Sequence, residues 1–239
     1  MKSSKSILKM VVLAMFIAIG VVISPILRVE GMCPMAHFIN VVCSVFMGPW
    51  YSLLCATIIG IIRMMIMGIP PLALTGAVFG AFLSGLFYRL SKGKILCAVL
   101  GEIIGTGIIG AIISYPVMTF LWDKEGLSMF FYVPSFICGT LIGGSIAFFF
   151  LRKYADAGML TKTQDMLGSK VFSDKSTVIT TSVSIAAFGA ILFVVFSLIP
   201  QIFNSESEIW RYMSYAALGV FAVVAVVYYL INHAKENKT

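Results

Sequence analysis

Long apolar runs, each closed by charged or turn-forming residues, limit what this chain can fold into more than any other feature. A helix that crosses a bilayer needs about 20 apolar residues. Residues Ile7 to Ile26 make one such run, and Thr177 to Ile199 and Ile209 to Ile231 make two more. The runs are continuous and do not alternate, which argues against a transmembrane β-barrel. Of 239 residues, 60% are hydrophobic and only 11% charged, and the mean hydropathy is +1.02. The expected fold is an all-α, polytopic membrane helix bundle rather than a soluble domain.

The net charge of +7 does not point to nucleic acid, because the basic residues cluster at helix ends as cytoplasmic anchors do. With the N-terminus inside, the cytoplasmic face collects Lys2, Lys5, Lys9, Arg89, Lys92, Lys94, Arg152, Lys153, Lys162, Lys170, Lys175, Lys235 and Lys238. Arg28, Lys124 and Arg211 stay outside. This bias predicts eight helices in the cell membrane with both termini cytoplasmic. The first run lacks a convincing small-residue cleavage site and is expected to be retained as a helix. The cysteines, Cys33, Cys43, Cys55, Cys97 and Cys138, are scattered without a CxxC pair. They predict packed, reduced thiols, with neither a disulfide framework nor a metal site.

Read in order, the predicted helices cover residues 7–26, 35–47, 50–67, 71–90, 95–122 and 127–151, then 177–199 and 209–231. The breaks are chemically explicit. Ser24-Pro25 ends the first helix, Gly48-Pro49-Trp50 forms a hinge, and Gly68-Ile69-Pro70-Pro71 is a tight turn, since two prolines cannot continue a helix. The helix at 35–47 is short for a full span. Residues 1–152 are expected to form a six-helix core, 153–176 a polar cytoplasmic linker, and 177–239 two additional helices with a polar tail.

Polar residues inside apolar spans are the candidates for function, because a charge at the bilayer centre costs at least about 2.5–3.5 kcal/mol. His37, Asn40 and Ser44 fall on one helical face. His37 and Asn40 read either as a hydrogen-bonding pair for a small ligand or as a helix–helix contact. Arg63 has several readings: a partner for Glu30 or a helix C-terminus, a contact for an anionic or π-rich ligand, or a snorkelling interfacial side chain. Glu102 is the only acid within an apolar span of the first six helices, with Thr106 one turn away. Ligand contact, proton coupling and a structural pair all fit it. Gly101, Gly105 and Gly110 allow another backbone to approach closely. Tyr115, Thr119, Trp122 and Tyr132 gather near the outer helix ends, as an aromatic belt or as a stacking wall for a flat heterocycle. Ala14 and Ala18 form a small-residue strip on the first helix. No nucleophile–base, metal-protease or phosphate-loop signature is present.

Four segments together resemble a known family. They are AMFIAIGVVISP, MAHFINVVCSVFMGPWYSLLCATIIGIIR, LTGAVFGAFLSGLFYR and LGEIIGTGIIGAIISYPV. Residues Met10 to Arg152 are similar to the ThiW type of S component from energy-coupling factor vitamin transporters. The resemblance implies a six-helix membrane subunit that captures hydroxyethylthiazole, a thiamine precursor, and has no ATPase of its own. Transport would then need a transmembrane coupling protein and two ATPase subunits encoded elsewhere. The family's helix-1 strip, which meets the coupling protein, falls on Ala14 and Ala18. Its pocket elements keep Glu102, Thr106, Tyr115 and Tyr132 in play, but do not independently support His37 or Arg63.

The last two helices depart from the six-helix pattern. Their apolar spans carry no charge away from the ends, which favours packing or partner contact over a second transport path. Two alternatives stand beside the thiazole reading. One is an S component for thiamine, its pyrimidine precursor or another vitamin. The other is a stand-alone carrier using Glu102 as a proton site.

Overall fold

A computed structural model describes residues 2–26, 32–172, 178–202 and 208–236. Arg28 and Glu30 lie outside the described residues. The chain divides into two units, Met1–Asp174 and Lys175–Thr239. The described residues are helical throughout most of their length, as a polytopic bundle requires.

The first unit contains α1 (Lys2–Ile23), α2 (Pro34–Met47), α3 (Pro49–Met67) and α4 (Leu72–Leu90). The continuous α5 (Ile95–Leu121) follows, then α6 (Val133–Asp156) and α7 (Met159–Met166). The second unit pairs α8 (Val178–Ile202) with α9 (Ile209–Glu236). Among the described residues, six helices are long and apolar enough to cross a membrane: α1, α3, α4, α5, α6 and α9. Of the eight expected spans, two are outside this set: α8, whose described residues give only the shorter apolar stretch Thr181–Ala190, and α2. Its 14 residues rise only about 21 Å, against a hydrocarbon core of about 30 Å.

That short helix is the centre of the first unit. It contacts all six other helices there, and nearly every residue from Ile39 to Met47 is buried. A helix apolar and buried on all sides belongs in a core rather than on its rim. Gly48 ends it at φ +91°, a left-handed conformation that side chains rarely adopt. Pro49 then opens α3 at a position where a missing N–H costs nothing. A side chain at Gly48 would also run into the Arg89 guanidinium.

Glycines bring α4 and α5 into backbone contact. A Cβ placed on Gly105 would lie 2.6 Å from the Gly80 Cα, and one on Gly101 would lie 2.5 Å from the Leu83 carbonyl oxygen. Without a driving force from water, such close packing is what holds membrane helices together. Within α5, residues Ile103–Gly110 and Val117–Leu121 form wide, π-type turns. The second follows Pro116, which has no N–H to give to the preceding turn. Wide turns of this kind occur often at functional positions.

The stretch read from sequence as a polar linker holds a docked helix. Leu160 and Leu167 of this stretch are buried in the main core. Gln164 is fully buried. Its Nε2 donates to the Val45 carbonyl at 2.9 Å and the Tyr88 hydroxyl at 3.0 Å, and its Oε1 accepts from the Phe172 N–H at 3.2 Å. Outside, Lys5 Nζ pairs with Asp165 at 3.1 Å. The stretch lacks an apolar run because only one narrow face, Leu160, Gln164 and Leu167, turns inward. The predicted sixth helix likewise starts later, at Val133, where Pro134 sits in the first turn.

In the second unit, Phe188 packs edge-on against Phe221 at 5.2 Å and Phe193 against Tyr215 at 5.5 Å. Ser197 donates to Ser214 at 3.1 Å. Among the described side chains this interface is aromatic and small-polar, without an ion pair across it.

Candidate functional site

Helical spacing puts His37 and Asn40 on one face of α2, and Glu102 and Thr106 one turn apart on α5. The fold turns these faces toward each other. His37 Nδ1 lies 2.8 Å from Glu102 Oε1. Asn40 Nδ2 donates to the same oxygen at 3.0 Å, and Thr106 Oγ1 donates to it at 3.1 Å. The four residues are 7% or less exposed, and Glu102 is fully buried. Asn40 and Thr106 are donors to this oxygen, and His37 Nδ1 is a third in the tautomer that carries its proton there; bonds to a carboxylate are shorter and stronger than neutral ones.

The other carboxylate oxygen is different. Glu102 Oε2 is buried and has no hydrogen-bond partner. Gly80 of α4 stands beside it: a Cβ there would lie 2.7 Å from Oε2 and would overlap Thr106 Oγ1. On the opposite side, Gly139 of α6 leaves room for the His37 ring, where a Cβ would lie 3.2 Å from Nε2. Asn40 Nδ2 also makes a long, 3.4 Å contact with the Ala77 carbonyl. An unpaired buried acceptor typically costs about 1–3 kcal/mol, and native proteins rarely retain one without a reason.

A serine layer supports the cluster. Ser52 Oγ donates to the Asn40 carbonyl at 3.0 Å, and Ser44 and Ser84 share a 2.7 Å hydrogen bond. Ser44 is legible from its spacing after Asn40. Ser52 and Ser84 are not, because serines on glycine-rich membrane helices usually bond their own backbone.

The remaining sequence candidates lie elsewhere. Arg63 is buried on α3 at 4% exposure, and its Nη2 donates to Cys33 Sγ at 3.2 Å. Cys33 was not singled out for binding by the sequence, since a lone cysteine has no distinguishing spacing. Tyr132 caps α6 and packs among Met118, Ala111 and Phe136. Its hydroxyl and that of Thr119 are both buried without a partner. Tyr115 is half-buried. Neither tyrosine makes a hydrogen bond to the Glu102 cluster among the described contacts. Ala14 and Ala18 are exposed on α1, beside exposed Met10, Val11, Met15 and Val22. All five cysteines are free thiols.

No curated protein and no solved structure matches the chain. A family model does, over residues 10–157, and its description is thiamine-precursor transporter protein, ThiW. The match runs from Met10 within α1 through the end of α6, including every residue of the Glu102 cluster. On that match, covering well over half of a multi-pass helical membrane chain, the protein belongs to the ThiW family of thiamine-precursor transporter proteins.

Proposed function

We propose that this chain is the substrate-capture subunit of an ATP-driven importer and that its cargo is hydroxyethylthiazole. The observation that carries the reading is the unpaired Glu102 Oε2 beside a fully bonded Oε1. A thiazole alcohol donates its O–H to such an acceptor. Its ring nitrogen needs a donor, and the Asn40 N–H held only by the long Ala77 contact is free to exchange. His37 and Thr106 fix the carboxylate while this happens. Because the cluster is closed over, cargo reaches Oε2 only when a neighbouring helix shifts, as capture-and-release proteins require.

Arg63, Tyr115 and Tyr132 would contact cargo nearer the outer side. The exposed Ala14–Ala18 strip would dock on a transmembrane coupling protein that carries two ATPase subunits, in the cell membrane with both termini of this chain cytoplasmic. Two further spans would follow the six-helix core. Calorimetry on the purified protein tests the cargo: tight thiazole binding without ATP supports the reading. Firm binding of thiamine or hydroxymethylpyrimidine instead keeps the capture role and replaces the cargo. A proton-coupled carrier is the reading that the buried His37–Glu102 pair would also serve. Uptake into vesicles holding this chain alone would establish it.

A further inference from the structure

Arg63 is a buried guanidinium without a carboxylate partner among the described residues. Its Nε has no hydrogen-bond partner, and its Nη2 meets only the Cys33 thiol, at 3.2 Å. Cys33 is the residue that opens α2, and its side chain makes no capping bond to the helix. The first turn carries no acid, and its first residue, Pro34, has no N–H to satisfy. The Ala36 N–H turns back to the Cys33 carbonyl at 3.0 Å, so the Met35 N–H is the first-turn amide without a partner among the described contacts, at the positive end of the helix dipole. Here that end lies inside the bundle, next to the guanidinium. The Cys33 sulfhydryl itself donates to the Ser24 carbonyl at 2.8 Å, so it does not neutralise Arg63.

We infer that Arg63 and the N-terminus of α2 form a subsite for a phosphate group. Helix N-termini bind phosphate through backbone N–H groups, and a guanidinium adds a fork of donors matched to its oxygens. The subsite adjoins the Glu102 cluster. A Cβ on Gly139 would lie 3.2 Å from His37 Nε2 and 3.6 Å from the Cys33 amide nitrogen. The cargo then has two ends, a hydroxyl or ring group at Glu102 and a phosphate monoester at Arg63. For its cargo this inference rests on the capture reading above. The subsite itself is open to the same chemistry from free orthophosphate.

The test uses the full chain in lipid nanodiscs, with hydroxyethylthiazole, its phosphate monoester and orthophosphate as probes. The monoester should bind about 10- to 100-fold more tightly than the alcohol, the span of a charge-assisted hydrogen bond. Arg63→Gln should bring that ratio to near one, and Arg63→Lys should leave it between. A second readout needs no variant and no thiazole: alkylation of Cys33 by N-ethylmaleimide, followed by peptide mass spectrometry. Orthophosphate should slow it severalfold relative to chloride at equal ionic strength. Protection by orthophosphate with no binding of either thiazole keeps the phosphate subsite and discards the cargo. Equal affinity for ester and alcohol, with Cys33 labelled equally in phosphate and chloride, overturns the inference while leaving the capture reading intact. Protection that appears only after Glu30→Gln also overturns it, because the anion at Arg63 is then the chain's own carboxylate.

Discussion

His37 Nδ1 and Glu102 Oε1 stand 2.8 Å apart across 65 positions of sequence, joining the central helix α2 to the wide-turned α5. Both side chains are withdrawn from solvent; Glu102 Oε1 also accepts from Asn40 and Thr106, whereas Glu102 is the one partner of His37 Nδ1 among the described contacts. Removing one partner of a buried pair commonly costs about 3–5 kcal/mol. His37→Ala should therefore lower the unfolding temperature in detergent as well as weaken thiazole binding. His37→Gln, which can still donate to Oε1, should recover most of the stability. Equal stability of wild type and both variants would mean that the contact holds nothing together.

Glu102→Gln separates binding from architecture. The side chain keeps its size and one acceptor oxygen, but loses the charge that strengthens its hydrogen bonds. If cargo donates to Oε2, thiazole affinity falls by about 10-fold or more while the fold persists. Calorimetry beside a thermal melt measures both effects. Unchanged affinity would remove Glu102 from the binding site.

The glycine seam gives an internal contrast. Gly105→Leu must push α5 away from the Gly80 backbone. The cost should exceed the about 1–3 kcal/mol typical of overpacking, because the obstacle is backbone and cannot rotate aside. Gly219→Ala on α9 meets nothing within 4 Å and replaces a poor helix former with the best one. It should be neutral or stabilising by about 0.5–1 kcal/mol. The thermal melt of Gly105→Leu should fall clearly, and that of Gly219→Ala should stay level or rise.

The polar residues of the Glu102 cluster were visible in the sequence for a physical reason: hydrocarbon makes every buried His, Asn or Glu conspicuous. His37, Asn40, Glu102 and Thr106 could be named from spacing alone, and the fold brings them together. What spacing does not carry is which helix faces which. Arg63 shares the apolar hairpin with His37, yet its hydrogen bond goes to Cys33. Gly80 and Gly139 matter because they lack atoms, and a sequence does not show which side chain will fill that room. Residues 159–167 read as linker because a single buried face of two leucines and a glutamine leaves a mostly polar composition.

Gln164 tests that docked helix. Its amide serves the Val45 carbonyl, the Tyr88 hydroxyl and the Phe172 amide at once, and none of these is easily rehydrated while Leu160 and Leu167 remain packed. Gln164→Ala removes a hydrogen bond from each of the three groups, at about 1–3 kcal/mol for any left buried without a partner. The less costly response is release of α7 and the irregular segment that follows it into water. Hydrogen exchange should then accelerate at residues 159–172 and stay slow in α2 and α4. Exchange that quickens equally in all three regions would mean that Gln164 supports the whole core rather than one docked helix.

On the proposed capture reading, the α1 strip should separate coupling from cargo binding. Ala14 and Ala18 are exposed and touch no member of the Glu102 cluster. Leucine at both positions would raise two ridges on a surface whose use requires close helix approach. Thiazole binding to the purified chain should be unchanged. Uptake in cells supplying the coupling protein and ATPases should fall by an order of magnitude, with co-purification of the coupling protein lost in parallel. Full uptake by the double variant would move the docking surface off α1. A matching loss of thiazole affinity would show instead that α1 shapes the binding site.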